Sequence, residues 1–503
     1  MSTSALTTAR HAAAGDHRPL VVDLDGSLVR TDTLIECFVA ALPRPLKLAR
    51  ALPALCRGKA ALKAALAEIA IPDPALLPYN RELLAFLRDE QKRGRPLILA
   101  TAADRRIALA IAAYLDLFDA VLASDGVVNL AGPAKLAAIR DALAERDFAY
   151  IGNESRDLTV WRGAAAAITV DAPPRLAKAV AAVVPVERVF PRDAGRGKAL
   201  LRAVRPHQWL KNLLVFLPLV TARALGDFAG WGEALLAFAA FSATASGIYL
   251  VNDLCDLAAD RQHPSKCNRP FASGMLPLQT GLLAAPLLLL AGTTLGAAAG
   301  ILPVLGLYAA LSLGYSFHLK AQPLVDVFVL AALYTIRVIG GGIATGYTVS
   351  LWLLAFSSFL FLSLAIVKRV AELQALARRE RRGPARLEAV GGRKVKVAGR
   401  GYLASDAHIL ELMGVAASFV TSLVLALYVQ SEIMPANDHR PTLAWGIVPL
   451  ILFWQCRLWL VTARGEMHHD PILYAARDWV SWAVTAASFA LLLFGAKVAV
   501  LPL

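Results

Sequence analysis

Between Asn252 and Gly274 the chain reads NDLCDLAADRQHPSKCNRPFASG, acids first and bases after. Asn252, Asp253, Asp256 and Asp260 recur at three- and four-residue spacings, so on a helix most of them share one face and can hold a hard cation together. Arg261, Lys266 and Arg269 follow within one loop. Mg²⁺ takes a few carboxylates and fills its shell with substrate phosphates, while bases bind the remaining phosphate oxygens. The stretch therefore reads as the protein half of a diphosphate site, with Asn252, Asp256 and Asp260 as ligands and Asp253 as a nearby support. A solvated loop obeying the positive-inside rule would explain the bases but not the ordered acids.

A second set of chemistry-bearing residues lies near the N-terminus. The short apolar run LVVDL ends in Asp23, Asp25, Gly26 and Ser27, as a buried parallel strand delivers acids into a loop. A second apolar run, Pro96–Ala100, ends at Thr101; a third, Phe148–Gly152, ends at Asn153 with Asp157 four residues on. These tips are expected at the carboxyl edge of one sheet, where open α/β sheets bind ligands. Lys135 falls between the second and third tips in the chain.

The elements that must position these residues divide by composition. With 503 residues, 57% of them hydrophobic and 18% charged, and a mean hydropathy of +0.54, the chain is too apolar for a soluble protein of its size. The apolarity is uneven: residues 1–190 alternate as a soluble domain does, and long apolar runs begin near Leu213. The formal charge of +14 and pI near 9.7 come without an aromatic-interleaved basic module, so nucleic acid is not the expected partner. Anionic membrane lipid and phosphorylated substrates fit the charge better. The five cysteines form no CxxC pair and read as free thiols. A polar N-terminus leading straight into a strand pattern argues against a cleaved signal peptide.

Residues 31–97, between the first two strand tips, read as mostly helical and are expected to cap the site. Arg44, Lys47, Arg50, Arg57, Lys59 and Lys63 interleave there with Leu, Ala and Pro, a pattern that suits either anionic headgroups or an ordinary solvated helix face. Residues 191–212 suit an interfacial linker helix. From 213 to 503, apolar stretches recur near 213–225, 233–251, 280–298, 301–317, 324–345, 351–367, 409–430, 442–462 and 479–500, about nine spans. Bases cluster after the second, fourth, sixth and eighth spans. The positive-inside rule then puts those loops and the N-terminal domain in the cytoplasm and the C-terminus on the opposite side of the membrane. Lys211, Tyr315, Lys320, Arg337 and Lys368 are expected to complete a basic basin between helices; for Lys211 and Lys368, snorkelling at a helix end is an equal reading. Gly340, Gly341 and Gly342 after Arg337 permit close helix packing or substrate approach.

The N-terminal motifs resemble the haloacid dehalogenase (HAD) phosphatase superfamily, whose pattern of DxDG[ST], a Thr or Ser after a strand, a Lys and GDxxxD is followed in order over residues 18–180, the last motif reading GNxxxD here. The resemblance implies an α/β Rossmannoid fold with a helical cap. It implies Asp23 as nucleophile, Asp25 as general acid and base, Thr101 and Lys135 as phosphoryl binders, and Mg²⁺ held by Asp23, Asp25, Asn153 and Asp157. Asn153 stands where the family usually has Asp, so one negative charge is missing from the metal site.

NDxxDxxxD at the end of the second span, in an all-α polytopic domain, resembles the UbiA-type prenyltransferase superfamily. Within it, DRxHPxKxxRPxAxG from Asp260 and RPxQWxKNxLVF from Arg205 look most similar to decaprenyl-phosphate phosphoribosyltransferases. Only Asp326 is acidic where aromatic prenyltransferases carry a second aspartate-rich motif. The resemblance implies a bacterial-type cell-membrane enzyme that joins phosphoribosyl diphosphate to a polyprenyl phosphate with release of diphosphate, the HAD domain then removing the 5-phosphate. Lys211, Asp253, Arg261, Lys266, Arg269, Tyr315, Lys320, Arg337 and Lys368 would bind substrate. The alternative is a prenyltransferase with a polyprenyl diphosphate donor, an aromatic or glyceryl-phosphate acceptor and a non-catalytic HAD domain. Either leaves a homo-oligomer open.

Overall fold

The computed structural model describes residues 18–191, 195–382, 401–430, 445–467 and 470–497. They form two compact units, one of 1–204 with 249–285 and the other of 205–248 with 286–503.

In the first unit, six short strands make a parallel sheet of order β3-β2-β1-β4-β5-β6. The strands are β1 (Leu20–Val22), β2 (Leu97–Asp104), β3 (Ala120–Ser124), β4 (Ala149–Gly152), β5 (Ala166–Val170) and β6 (Val186–Phe190). β1, β4 and β5 are buried at every position, as strands covered on both faces must be, and this is why they read as unbroken apolar runs. Val22 lies opposite Leu99 on one side and Ile151 on the other. That register brings Asp23, Thr101 and Asn153 to one edge of the sheet, as the three tips lead one to expect. The β2–β3 register shifts between Ala100 and Asp104, so Thr101 stands inside an irregular strand end.

The helices of this unit are α1 (Thr33–Ala41), α2 (Pro45–Ala51), α3 (Lys59–Ile69), α4 (Arg81–Lys92), α5 (Arg105–Leu115), α6 (Pro133–Ala142), α7 (Leu158–Trp161), α8 (Pro174–Ala181) and α9 (Arg196–Val204). Asp32 caps α1 by accepting from the Leu34 and Ile35 amides, and Asn80 caps α4. Residues 31–97 are helical as expected. They share a core with the sheet, however: Leu66 of α3 and Leu83 and Leu87 of α4 pack with Leu97 and Leu99.

The second unit is helical, with short α10 (Leu217–Thr221) at its start. The helices that follow are α11 (Phe228–Cys255), α12 (Leu257–Gln262), α13 (Leu278–Ala298), α14 (Leu302–Phe317), α15 (Val325–Thr345), α16 (Leu351–Arg382) and α17 (Ala407–Gln430), then Ile447–Arg464, Pro471–Arg477 and Trp479–Lys497. Of these, the end of α11, all of α12 and the start of α13 belong to the first unit. Among the described residues six helices are long and apolar enough to cross a membrane, and Leu302–Phe317 and Trp479–Leu492 are shorter apolar helices. The chain is an integral membrane protein. The count of nine spans is not reproduced: residues 213–225 form no spanning helix. Pro206 opens a 3₁₀ segment that runs to Phe216, and Pro218 then starts the five-residue α10. Neither proline supplies an N–H, so apolar content alone overstated this stretch as a helix.

Candidate active sites

At the edge of the sheet, Lys135 on the first turn of α6 donates from Nζ to Asp23 Oδ1 at 2.7 Å and to Tyr150 Oη at 3.1 Å. Tyr150 Oη donates in turn to Asp157 Oδ1 at 2.8 Å, and the Asn153 and Glu154 amides donate to Asp157 Oδ2 at 3.0 Å each. Both Asp157 oxygens are thus occupied by the protein, and this carboxylate orients the Asn153 loop and Tyr150. Ser27 Oγ lies 3.3 Å from Asn153 Oδ1 and 3.5 Å from Asp23 Oδ2, so those two oxygens converge. Gly26, at φ +75, makes room for this: a Cβ there would stand 2.1 Å from Asn153 Nδ2. Asp25 Oδ1 accepts from the Thr33 amide at 2.8 Å, and Thr101 Oγ1 accepts from the Ala103 amide at 3.0 Å.

Burial pushes the Asp23 carboxyl up to about 6 and Asp25 up to about 7, with the charges of neighbouring carboxylates adding to the rise. Burial disfavours the charged form of Lys135, but Asp23 and Asp157 outweigh it and the ammonium is held above its ordinary value. These directions agree: several carboxylates share one buried ammonium. Asp23, Asp25 and Asn153 offer only hard oxygen donors, which fits Mg²⁺, with Asn153 costing one charge.

Lys63 was missed as a site residue. Although it falls in the basic pattern of residues 44–63, its Nζ donates to Ala102 O, one residue past Thr101, and to Asn129 Oδ1 at 3.1 Å. Burial lowers its pKa. Arg44, Lys47, Arg50, Arg57 and Lys59 stay exposed, and Leu46, Leu52 and Leu55 among them are exposed too.

In the acid-then-base stretch, α11 ends at Cys255 and Asp256 starts α12, so the acids do not follow one continuous helix. The break turns Asp253 and Asp260, both 2% exposed, toward one another, and Arg269 Nη1 bonds both, at 3.0 Å to Asp253 Oδ1 and 2.6 Å to Asp260 Oδ2. Lys266 Nζ is 4.0 Å from Asp260 Oδ1. Arg261 points elsewhere: Nη1 and Nη2 donate to Glu36 at 3.0 and 2.6 Å and Nε to Ala272 O at 3.2 Å. Among the described residues no three His, Cys, Asp or Glu side chains gather as a ready metal cluster. The donor chemistry of Asn252, Asp253, Asp256 and Asp260, oxygen throughout, still fits Mg²⁺.

In the second unit, Lys211 and Lys368 converge on Asp470 at 2.7 and 3.3 Å. Asp470 belongs to none of the sequence motifs; its position before Pro471, capping the helix Pro471–Arg477, is the signal that marks it. Arg337 donates from Nε to Asn212 Oδ1 at 2.7 Å, from Nη2 to Tyr308 Oη at 3.1 Å, and to Leu333 O. It is 4% exposed and committed to the protein. Gly341 permits the close packing: a Cβ would lie 2.0 Å from Val215 O. Asp326 is sealed at 0% exposure, paired with Arg369 and accepting from Tyr402 Oη. Tyr315 hydrogen-bonds the same Arg369, and Lys320 is half-buried in the turn Leu319–Ala321.

The UbiA prenyltransferase family model matches residues 213–470, about half of the chain. The chain belongs to this family. A haloacid dehalogenase-like hydrolase model matches residues 44–162, so a HAD-like domain is joined to the UbiA domain, and that match begins after Asp23 and Asp25. A Sinorhizobium fredii protein, y4nM, is 36% identical over 93% of this chain and 89% of its own length. Nodulation protein NoeC of Azorhizobium caulinodans is 36% identical over 55% of this chain and 86% of its own. Decaprenyl-phosphate phosphoribosyltransferase of Mycobacterium tuberculosis is 40% identical over 35% of this chain and 60% of its own. A solved UbiA homolog from Archaeoglobus fulgidus bound to GPP and Mg²⁺ aligns over 58% of this chain and 99% of its own, with 17% identity and a TM-score of 0.42.

Proposed function

We propose that the UbiA domain is a polyprenyl-phosphate phosphoribosyltransferase and that the HAD domain removes the 5-phosphate from its product. The observation that carries the choice of donor is Asp326, the one acid where aromatic prenyltransferases carry a second aspartate-rich motif, which is buried and spent on Arg369 and Tyr402. The second aspartate-rich motif of aromatic prenyltransferases then has no counterpart free to hold a metal, which favours phosphoribosyl diphosphate over a prenyl diphosphate. The 40% identity to the mycobacterial phosphoribosyltransferase supports the same reading.

In this scheme Asn252, Asp256 and Asp260 would hold Mg²⁺, with Asp253 as a nearby support, and the ion would supply positive charge for the departing diphosphate. Lys266 and Arg269 take phosphate oxygens, and Arg269 must exchange its carboxylate bonds for phosphate ones to do so. The phosphate of the polyprenyl acceptor is already anionic at neutral pH and attacks C1 of the ribose without a dedicated base. In the HAD domain, Asp23 attacks phosphorus to form an aspartyl phosphate. Thr101 and Lys135 hold the phosphoryl oxygens. Asp25, raised to about 7, gives a proton to the leaving ribose oxygen and takes one from the water that completes hydrolysis. The basic loops support a cytoplasmic position for both sites.

The detergent-purified protein, given polyprenyl phosphate, phosphoribosyl diphosphate and Mg²⁺, should release diphosphate, and Asp256→Ala should abolish the release. Asp23→Asn should keep diphosphate release and lose orthophosphate release from the lipid product. Consumption of a prenyl diphosphate in place of phosphoribosyl diphosphate would defeat the proposal.

A further inference from the structure

We infer that Glu36 of the HAD domain is a positioning residue for the acid–base loop of the UbiA domain, so that the phosphatase domain is part of the transferase's working structure. This rests on the phosphoribosyltransferase reading for its activity test, though not for its structural one. Glu36 and Arg261 are 225 residues apart in the chain, yet their side chains meet in a two-pronged ion pair at 3% and 7% exposure. With Nε on Ala272 O, all three guanidinium nitrogens of Arg261 bond to the protein, and the fork of the guanidinium faces Glu36. A carboxylate buried this deeply is tolerable only with its partner, and the converse holds for the guanidinium.

The pair acts on an element that cannot hold itself. Helix α12 has six residues and no side-chain cap, far too short to be stable alone. It is pinned at two adjacent residues: Asp260 to Arg269, and Arg261 to Glu36. Fixing Arg261 sets the roll of α12 and hence the aim of Asp260 toward Arg269 and Asp253. The loop is seated a second time at Gly274, φ +73, where a Cβ would stand 2.9 Å from Arg30 Cβ and 3.1 Å from Pro78 Cβ. On the other side, the same nine-residue α1 that carries Glu36 begins at Thr33, whose amide holds Asp25. One helix of the HAD domain thus touches the acid–base candidate of one site and the loop of the other.

The test uses the full chain. Glu36→Gln should lower kcat/KM for phosphoribosyl diphosphate roughly tenfold, chiefly through KM, and speed hydrogen exchange across residues 257–274. The charge exchange Glu36→Arg with Arg261→Glu should restore the rate to within about threefold of wild type and restore the protection. Unchanged exchange and rate in Glu36→Gln overturn the inference, as does an exchanged pair no better than the single variant. If wild type releases no diphosphate while the exchange pattern behaves as stated, the proposed reaction fails and the positioning role stands.

Discussion

Asp470 shows how a lone acid becomes structural. Burial alone would raise its carboxyl, but Lys211 and Lys368 overcome that and hold it down at about 2. Because its folded pKa lies below the unfolded value of about 3.9, the pairing contributes fully above that value and is lost as pH falls toward 2. The contribution is roughly 2 kcal/mol. Asp470→Asn should therefore shorten the inactivation half-life in detergent at pH 6, and the gap to wild type should close between about pH 4 and pH 2. A gap that stays constant over that range would mean the two lysines do not depend on the carboxylate. The same pairing bears on what was expected of Lys211 and Lys368: neither snorkels alone, and both meet one carboxylate.

At the scale of elements, the contact between the 3₁₀ segment Pro206–Phe216 and α15 is set by glycine. Gly341 faces the backbone oxygen of Val215, which cannot move aside as a side-chain end can, and a methyl would lie 2.0 Å from it. Gly341→Ala should cost on the order of 2–3 kcal/mol and lower the apparent Tm. Gly306→Ala in α14, where a Cβ meets nothing within 4 Å, should leave it unchanged or raised. Equal Tm values for the two variants would remove the close-approach argument. Elements of this kind were partly legible. The three strand tips could be read because β1, β2 and β4 are apolar runs that stop at polar residues, whereas the shift that places Thr101 inside β2 depends on pairing with β3, which no local pattern encodes. Residues 213–225 failed as a span because hydropathy records apolar content and not the missing N–H groups of Pro206 and Pro218.

At the scale of the molecule, the sequence invites a division near residue 190, but the first compact unit also takes in residues 249–285. No local pattern could have shown this, because it depends on pairs such as Glu36–Arg261. Cutting the chain at the linker therefore should not yield two independent enzymes. A truncated chain beginning at Arg196 keeps every acid and base of Asn252–Gly274 but removes Glu36, Arg30 and Pro78 from beside Arg261 and Gly274. Its diphosphate release should fall well below that of full-length Asp23→Asn, which lacks the nucleophile but keeps α1 in place. The comparison separates chemistry from scaffolding. If the HAD domain acts only on the product, both proteins make the phosphoribosyl lipid equally fast. If it also holds α12, only the truncation loses the first step, and adding the HAD domain as a separate chain should return part of it at high concentration, since the surface that carries Glu36 is then available by mass action.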